Sequence, residues 1–138
     1  MSAVYVASSF FRPLDALEKL HSSITLRQFG RDCFIERKPE AEDIAAAERG
    51  LEKASEIILA EKHELVILDE INIALDLGLI STERVLQILK EKPVQIELVL
   101  TGRNAPKEIT EVADLVTNME EVKHYYTRGV QARPGIEF

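Results

Sequence analysis

Two acidic residues and an arginine follow two apolar segments of the chain at matching positions. Asp69 and Glu70 come directly after the apolar run LVIL, and Thr101, Gly102 and Arg103 follow the run LVL about thirty residues later. Carboxylate oxygens are ligands that Mg²⁺ prefers, and a guanidinium presents forked donors to phosphate oxygens. The residue types and their spacing therefore predict a site for a metal-bound polyphosphate.

Each of these residues also has a simpler interpretation. An apolar strand that merely reaches solvent often ends in charged residues, and Arg103 is then an ion-pair partner for Asp69 or Glu70. If the acids instead continue the strand, their side chains point in different directions, so that one binds the metal and the other orders its shell of ligands. Gly102 permits either a sharp turn or the close approach of a ligand, and Thr101 adds a hydroxyl. Both interpretations stay open on these residues alone.

A second candidate is an apolar island, formed by Cys33, Phe34 and Ile35 inside a strongly charged segment. A loop that exposes an aromatic side chain can act as a lid over an apolar ligand. The alternative is that Phe34 simply packs in the core. The three histidines are far apart and show no metal-ligand spacing, so we assign them no function.

The chain contains no P-loop. That phosphate-binding motif requires Gly-Lys-Ser/Thr, which wraps backbone amides and an ammonium group around phosphates. None of the six glycines precedes a lysine. This absence is a firmer observation than any of the candidate residues.

Strands that alternate with helices must hold the candidate residues in place. The pattern of apolar residues predicts strands at 3–11, 23–29, 64–69, 94–100 and 115–116. Helices are predicted at 13–20, 39–62, 71–77, 82–90 and 106–113. Ser81 is the expected N-cap of the helix that follows it, and segment 64–69, apolar throughout, is expected to be covered on both faces. The alternation predicts an α/β fold with a parallel sheet, in which ligands bind beyond the carboxyl ends of the strands.

Length and composition indicate a single acidic domain, residues 1–138. The net charge of −7 and the pI near 5.0 argue against nucleic acid or an anionic membrane as the main partner. The lone Cys33 excludes an intramolecular disulfide and a cysteine zinc cage. No basic segment precedes the first apolar run, as it would in a signal peptide, and we expect a cytoplasmic protein.

The order of these motifs resembles one protein family. The segments LVILDEIN, LVLTGRNAP, ADLVTNME and VKHYYTRGVQARPGIEF, in this order, resemble the ATP:corrinoid adenosyltransferases of the BtuR/CobO/CobP type. The segments FGRDCFI and PEAEDIAAAERGLEKA resemble the middle section of that family, so the resemblance covers nearly the whole chain. It implies a three-layer α/β fold with a mostly parallel sheet, similar to the P-loop NTPases of the RecA type.

The resemblance also implies a reaction. Enzymes of this family transfer the 5′-deoxyadenosyl group of ATP to the cobalt of a corrinoid and release triphosphate. Cobalt reduced to Co(I) is the nucleophile, and it attacks C5′ of the ribose. The implied ligands are ATP with Mg²⁺ and a corrinoid, the implied assembly is a homodimer, and the protein contributes positioning and electrostatics.

The family's functional residues match positions of this sequence. By resemblance, Glu70 is the acidic Mg²⁺ ligand, with Asp69 beside it as a second metal-binding residue. Thr101, Gly102 and Arg103 match the segment near the nucleotide. Glu70 and Arg103 are the catalytic residues that the resemblance implies.

The corrinoid loop and the start of the chain depart from the family pattern. Phe34, with Cys33 and Ile35, matches the loop that packs on the corrinoid and removes its lower axial ligand, but a second aromatic of that loop is absent. Family members begin with a strand and a Gly-Lys-Thr loop before a strand like 3–11, whereas this sequence begins at that second strand. We therefore expect a sheet that lacks its first strand, a central one, and needs re-pairing, a shifted neighbour or a partner chain.

Three functions stay open on the sequence. The first is an adenosyltransferase, active as a longer natural chain or with a partner that supplies the phosphate loop. The second is a P-loop-less, non-catalytic relative that binds a corrinoid or a partner chain but not ATP. The third is an α/β binding module for an unrelated small molecule. The sequence does not decide whether this chain is an active enzyme.

Overall fold

Four parallel strands form the sheet at the centre of the fold. The computed structural model describes residues 3–7, 24–29 and 38–133. The strands are β1 (Ala3–Ala7), β2 (Ile24–Gln28), β3 (Leu65–Leu68) and β4 (Glu97–Leu100). Their order in the sheet is β2-β1-β3-β4, and every neighbouring pair is parallel. The predicted α/β class with a parallel sheet is therefore confirmed.

Helices alternate with the strands, as the apolar pattern predicts. They are α1 (Ala41–Leu59), α2 (Ile71–Asp76), α3 (Thr82–Glu91) and α4 (Lys107–Val112), with a 3₁₀ helix at Tyr125–Arg128. The predicted helix at 13–20 lies outside the described residues, as do residues 8–11 of the first predicted strand. Within the described ranges, no helix is both long and apolar enough to cross a bilayer.

Local interactions at its start and an apolar stripe along its length account for α1. The backbone N–H of Glu40 donates to Asp43 Oδ2 at 2.9 Å, which satisfies a donor just before the first turn. Leu51, Ala54 and Ile58 recur at helical spacing, and all three are buried. The stripe therefore faces the core, and the charged residues between its members face solvent.

Ser81 caps α3, as the sequence predicts. Its Oγ accepts a hydrogen bond from the backbone N–H of Arg84 at 3.2 Å, which satisfies one of the free donors of the first turn. Val85 and Ile88 lie one turn apart on the buried face of this helix. The cap and the apolar face together fix where α3 begins and how it lies on the sheet.

The core lies between one face of the sheet and the helices α1 and α3. Val66 and Leu68 of β3 are 0% and 3% exposed and belong to the same apolar cluster as Ile58 of α1 and Val85 of α3. The alternate residues of β3 are only half-buried. The prediction that this strand is covered on both faces is therefore met on one face only, within the described part of the chain.

One predicted strand does not form in the described residues, and one expectation about the sheet stays a prediction. Residues 115–116 form no strand and pair with no strand of the described sheet; Leu115 is 85% exposed. A strand without a neighbour has no partners for its backbone groups. The expected loss of a central strand stays a prediction: β1 pairs directly with β2 and β3, and re-pairing after such a loss would also give a continuous sheet.

Candidate functional site

The carboxyl ends of β3 and β4 meet side by side. Leu68 is the register partner of Leu100, so Asp69 and Thr101 leave the sheet as neighbours. Thr101 Oγ1 donates to Asp69 Oδ1 at 2.7 Å and accepts from the backbone N–H of Glu70 at 3.0 Å. The predicted acidic pair and the Thr-Gly-Arg segment therefore form one cluster, as the sheet geometry requires.

The backbone of Thr101 continues this connection. Its N–H donates to the carbonyl oxygen of Leu68, and its carbonyl oxygen accepts from the N–H of Asn72, both at 3.1 Å. Counting the hydroxyl, Thr101 makes four hydrogen bonds to the segment 68–72. This residue therefore fixes the path of the chain from the end of β3 into the first turn of α2.

Glu70 has a strained backbone. It is the N-cap of α2, with φ 60° and ψ 18°, in the left-handed region that disfavours residues with a Cβ. A non-glycine residue keeps this conformation only when its surroundings impose it, and such residues cluster at functional sites. The chain therefore makes an unusual turn directly after β3, at the residue that the resemblance implies as the Mg²⁺ ligand.

The carboxylate of Glu70 is held in an unfavourable environment. Its Oε2 atom is buried without a hydrogen-bond partner in the part of the chain that the structure describes. Burial is the largest cause that raises the pKa of Glu70, the charge of Asp69 raises it further, and the charge of Arg103 lowers it. A buried carboxylate oxygen without a donor is the feature that a bound cation would satisfy.

Arg103 is presented to solvent by an unusual stretch of backbone. It lies between Gly102, with φ 122°, and Asn104, with φ 58°. Asn104 Nδ2 donates to Asp76 Oδ2 at 2.8 Å, which ties this loop to the end of α2. No ion pair between described residues involves Arg103, so the interpretation of Arg103 as a salt-bridge partner of Asp69 or Glu70 is not observed there.

Gly102 is explained by contacts within the protein. A Cβ at this position would lie 3.1 Å from Asn72 Cβ and 3.2 Å from the backbone nitrogen of Ile73. Together with its positive φ, this contact requires glycine. Of the two uses that the sequence allows for Gly102, the structure therefore accounts for the sharp turn, which packs directly against α2.

Asn72 is a site residue that the sequence did not indicate. It is 6% exposed, and its Oδ1 is buried without a hydrogen-bond partner among the described residues. Its only signal in the sequence is a polar residue inside the apolar segment INIAL, directly after the acidic pair. Such a signal is too common in short helices to single out a functional residue.

The donor set fits Mg²⁺ that is shared with a phosphate ligand. Glu70 offers a free carboxylate oxygen, and Asp69 lies next to it in sequence. No group of three or more potential metal ligands occurs in the described ranges, so an all-protein metal cage is not found there. Mg²⁺ is commonly held by one or two carboxylates together with water and substrate phosphates, which is the arrangement these residues suit.

The predicted corrinoid-binding residues cannot be placed relative to this cluster. Cys33, Phe34 and Ile35 all lie outside the described residues. The predictions made for them therefore stay predictions.

The fold is that of an α/β protein with a parallel sheet, and the cluster at the carboxyl edge of this sheet is a candidate ligand site. The sequence model of the family "ATP:corrinoid adenosyltransferase BtuR/CobO/CobP" matches residues 11–138. The chain therefore belongs to this family, as the motif order predicts.

Individual relatives agree with this assignment. A corrinoid adenosyltransferase of a Sinorhizobium species is 49% identical over 104 residues, which are 75% of this chain and 49% of the relative. A corrinoid adenosyltransferase of Pseudomonas aeruginosa is 39% identical over 130 residues, which are 94% of this chain and 61% of the relative. A corrinoid adenosyltransferase of Escherichia coli K12 is 32% identical over 96 residues, 70% of this chain and 49% of the relative. The chain thus spans about half to three-fifths of the length of these relatives.

Proposed function

We propose that this chain provides the magnesium and nucleotide side of a corrinoid adenosyltransferase site. The reaction transfers the 5′-deoxyadenosyl group of ATP to the cobalt of a corrinoid. The cobalt of a Co(I) corrinoid donates an electron pair to C5′, the bond between C5′ and its oxygen breaks, and triphosphate leaves with that electron pair. Membership of the family supports the reaction class, and the cluster at the ends of β3 and β4 supports the position of the site.

One observation carries the proposal: Glu70 Oε2 is buried and has no hydrogen-bond partner among the described residues. A cation at this oxygen would satisfy it and would also reduce the repulsion between Glu70 and Asp69. Mg²⁺ is therefore the expected companion of the triphosphate here, with Glu70 as its ligand and Asp69 beside it. Mg²⁺ would neutralise part of the charge that develops on the leaving triphosphate.

Arg103 is the proposed donor to phosphate oxygens. It is exposed, it makes no ion pair with a described residue, and Gly102 and Asn104 hold it on a loop fixed to α2. A guanidinium suits a triphosphate because its forked donors match pairs of phosphate oxygens. We further propose that the fold is of the P-loop NTPase type, that Phe34, Cys33 and Ile35 contact the corrinoid, and that the working protein is a cytoplasmic homodimer.

Adenosyl transfer by the purified chain is the direct test. The chain would be incubated with Mg²⁺-ATP and a chemically reduced corrinoid under anaerobic conditions, and the light-sensitive adenosylated product would be followed by its absorbance. Product that depends on chain, ATP and Mg²⁺ supports the proposal. A chain that binds neither ATP nor a corrinoid and gives no product contradicts it, whereas corrinoid binding alone identifies a non-catalytic relative.

Glu70→Gln tests the metal ligand against a matched control. The change keeps the shape of the side chain and removes the charge, so it should lower the rate of transfer, or Mg²⁺-dependent ATP binding, by at least about tenfold. Glu64→Gln makes the same change at the opposite end of β3 and should have little effect. Equal losses in both variants would refute Glu70 as the magnesium ligand.

The sequence lacks a Gly-Lys-Ser/Thr loop, so its affinity for ATP should be weak. We expect a dissociation constant well above the micromolar range in an isothermal titration with Mg²⁺-ATP, because the sequence has no Gly-Lys-Ser/Thr motif to wrap backbone amides and an ammonium group around the phosphates. The corrinoid would be titrated separately. Micromolar ATP binding by this chain would contradict the expectation.

A further inference from the structure

The hydroxyl of Thr101 is committed within the protein. A threonine hydroxyl has one proton to donate, and Thr101 donates it to Asp69 Oδ1 at 2.7 Å. The same oxygen accepts from the backbone N–H of Glu70 at 3.0 Å. Both bonds fall within the normal range of hydrogen-bond lengths.

This arrangement conflicts with a role for Thr101 as a nucleotide ligand. Phosphate oxygens of ATP accept hydrogen bonds, so a threonine that binds them must donate its proton. Thr101 could do so only by releasing Asp69, which would then lose a charge-assisted hydrogen bond next to a second carboxylate. The structure instead shows both hydrogen bonds of the hydroxyl made within the protein, to Asp69 and to Glu70.

Glu70 needs such a support. Its left-handed backbone is unfavourable for a residue with a Cβ, and the only described partner of its N–H is Thr101 Oγ1. A rotation of Glu70 into the right-handed region would move its Cα–Cβ direction and carry the carboxylate away from the cluster. Thr101 opposes this rotation with two hydrogen bonds. Its Oγ1 accepts from the N–H of Glu70, and its carbonyl oxygen accepts from the N–H of Asn72.

We propose that Thr101 is a positioning residue: its hydroxyl fixes the backbone of Glu70 and the carboxylate of Asp69, and it does not bind the nucleotide. The proposal rests on the proposed function only in taking Glu70 as the magnesium ligand. It assigns the Thr-Gly-Arg segment two different tasks. Thr101 and Gly102 shape the turn, and Arg103 faces the ligand.

Thr101→Val and Thr101→Ser form the matched pair for the test. Valine keeps the shape of threonine without the hydroxyl, and serine keeps the hydroxyl. Nuclear magnetic resonance couplings that distinguish left-handed from right-handed backbone would be measured at Glu70 in both variants. Glu70 should leave the left-handed region in Thr101→Val and keep it in Thr101→Ser. A left-handed Glu70 in both variants would overturn the proposal.

Hydrogen exchange in the unaltered chain tests the same proposal without a substitution, so the test holds even if Thr101→Val does not fold. The N–H of Glu70 is bonded to Thr101 Oγ1, so it should exchange at least about tenfold more slowly than in an unstructured peptide. Exchange at the peptide rate would mean that the bond does not persist in solution. That result would overturn the proposal without any substitution.

Nucleotide binding separates positioning from direct contact. ATP affinity would be measured with Mg²⁺ and with a chelator, for Thr101→Val alone and in the Glu70→Gln background. A positioning role predicts a loss only with Mg²⁺ and only when Glu70 is present; a direct hydrogen bond predicts a loss of roughly tenfold or more in every condition. If the unaltered chain binds no ATP, the proposed function fails, and the resonance and exchange measurements still decide the role of Thr101.

Discussion

Glu70→Gly should make the protein more stable, although it removes the proposed metal ligand. The left-handed backbone of Glu70 costs about 1–2 kcal/mol, and glycine removes this strain. The greater freedom of glycine in the unfolded chain offsets about 0.5–1 kcal/mol of that gain. Glycine also removes a buried carboxylate oxygen that has no hydrogen-bond partner in the described part of the chain, which adds about 1–3 kcal/mol in the same direction. The net gain in unfolding free energy is therefore about 1–4.5 kcal/mol.

Glu61 provides the matched control for this prediction. It also has a left-handed backbone, with φ 54°, but it is exposed and follows the end of α1. Glu61→Gly should therefore gain the backbone contribution, roughly 0–1.5 kcal/mol, and lose the exposed hydrogen bond that Gln95 Nε2 donates to Glu61 Oε2, which offsets part of that gain. Comparison of Glu70→Gly with Glu70→Ala separates the two contributions, because alanine removes the carboxylate but keeps the strain.

Urea unfolding without divalent cations is the appropriate assay. The unaltered chain and the three variants, Glu70→Gly, Glu70→Ala and Glu61→Gly, would be compared at pH 7. Where the slopes of unfolding free energy against urea concentration are equal, a change in midpoint reports stability alone. Glu70→Gly should be the most stable of the set. If it is no more stable than the unaltered chain while Glu61→Gly is stabilised, the strain and burial assigned to Glu70 are wrong.

Two further predictions concern the pH dependence of stability and the start of α3. Burial and the charge of Asp69 raise the pKa of Glu70 above its ordinary value of 4.5, so the folded state retains this proton to a higher pH than the unfolded state. The contribution of Glu70 to stability is therefore most favourable below pH 4.5 and falls as pH rises through the pKa of Glu70 in the folded state. This pH dependence should be absent in Glu70→Gln. Parallel profiles of unfolding free energy against pH for the unaltered chain and Glu70→Gln would contradict the prediction. Ser81→Ala should lower the unfolding free energy by about 1 kcal/mol because it removes the acceptor for the N–H of Arg84, whereas Ser81→Asp should keep most of it. Equal stability of Ser81→Ala and the unaltered chain in urea unfolding would show that the cap contributes nothing.

The elements that the sequence predicts correctly depend on local interactions. Ser81 and Arg84 are three residues apart, and the apolar stripe of α1 repeats within one helix, so both can be recognised from a short segment. The strand predicted at 115–116 depends on a neighbour that no local pattern reveals. Among the described residues, segment 115–116 pairs with no strand of the sheet.

The chemistry of the site could be predicted only in part, because some of it depends on contacts between residues that are far apart in the sequence. The acidic pair and Arg103 are visible in the sequence because strands of a parallel sheet end at a common edge. The left-handed backbone of Glu70 and its bond to Thr101 join residues 31 positions apart and depend on the register of β3 with β4. The buried oxygens of Glu70 and Asn72 likewise follow from packing, which periodicity does not describe.

The strain and the burial of Glu70 have one explanation if the site binds a divalent cation. Both features destabilise the chain without ligand, and a cation at Glu70 would remove the cost of the unpartnered oxygen and of the repulsion from Asp69. Any ligand that binds only the folded state raises stability by a term that grows with its concentration over its dissociation constant. Mg²⁺ with a phosphate ligand should therefore stabilise the unaltered chain more than Glu70→Gly, although the variant is more stable without ligand. The difference in unfolding free energy between Glu70→Gly and the unaltered chain should therefore become smaller, or change sign, as the ligand is added. A constant difference would mean that the strained carboxylate does not take part in binding.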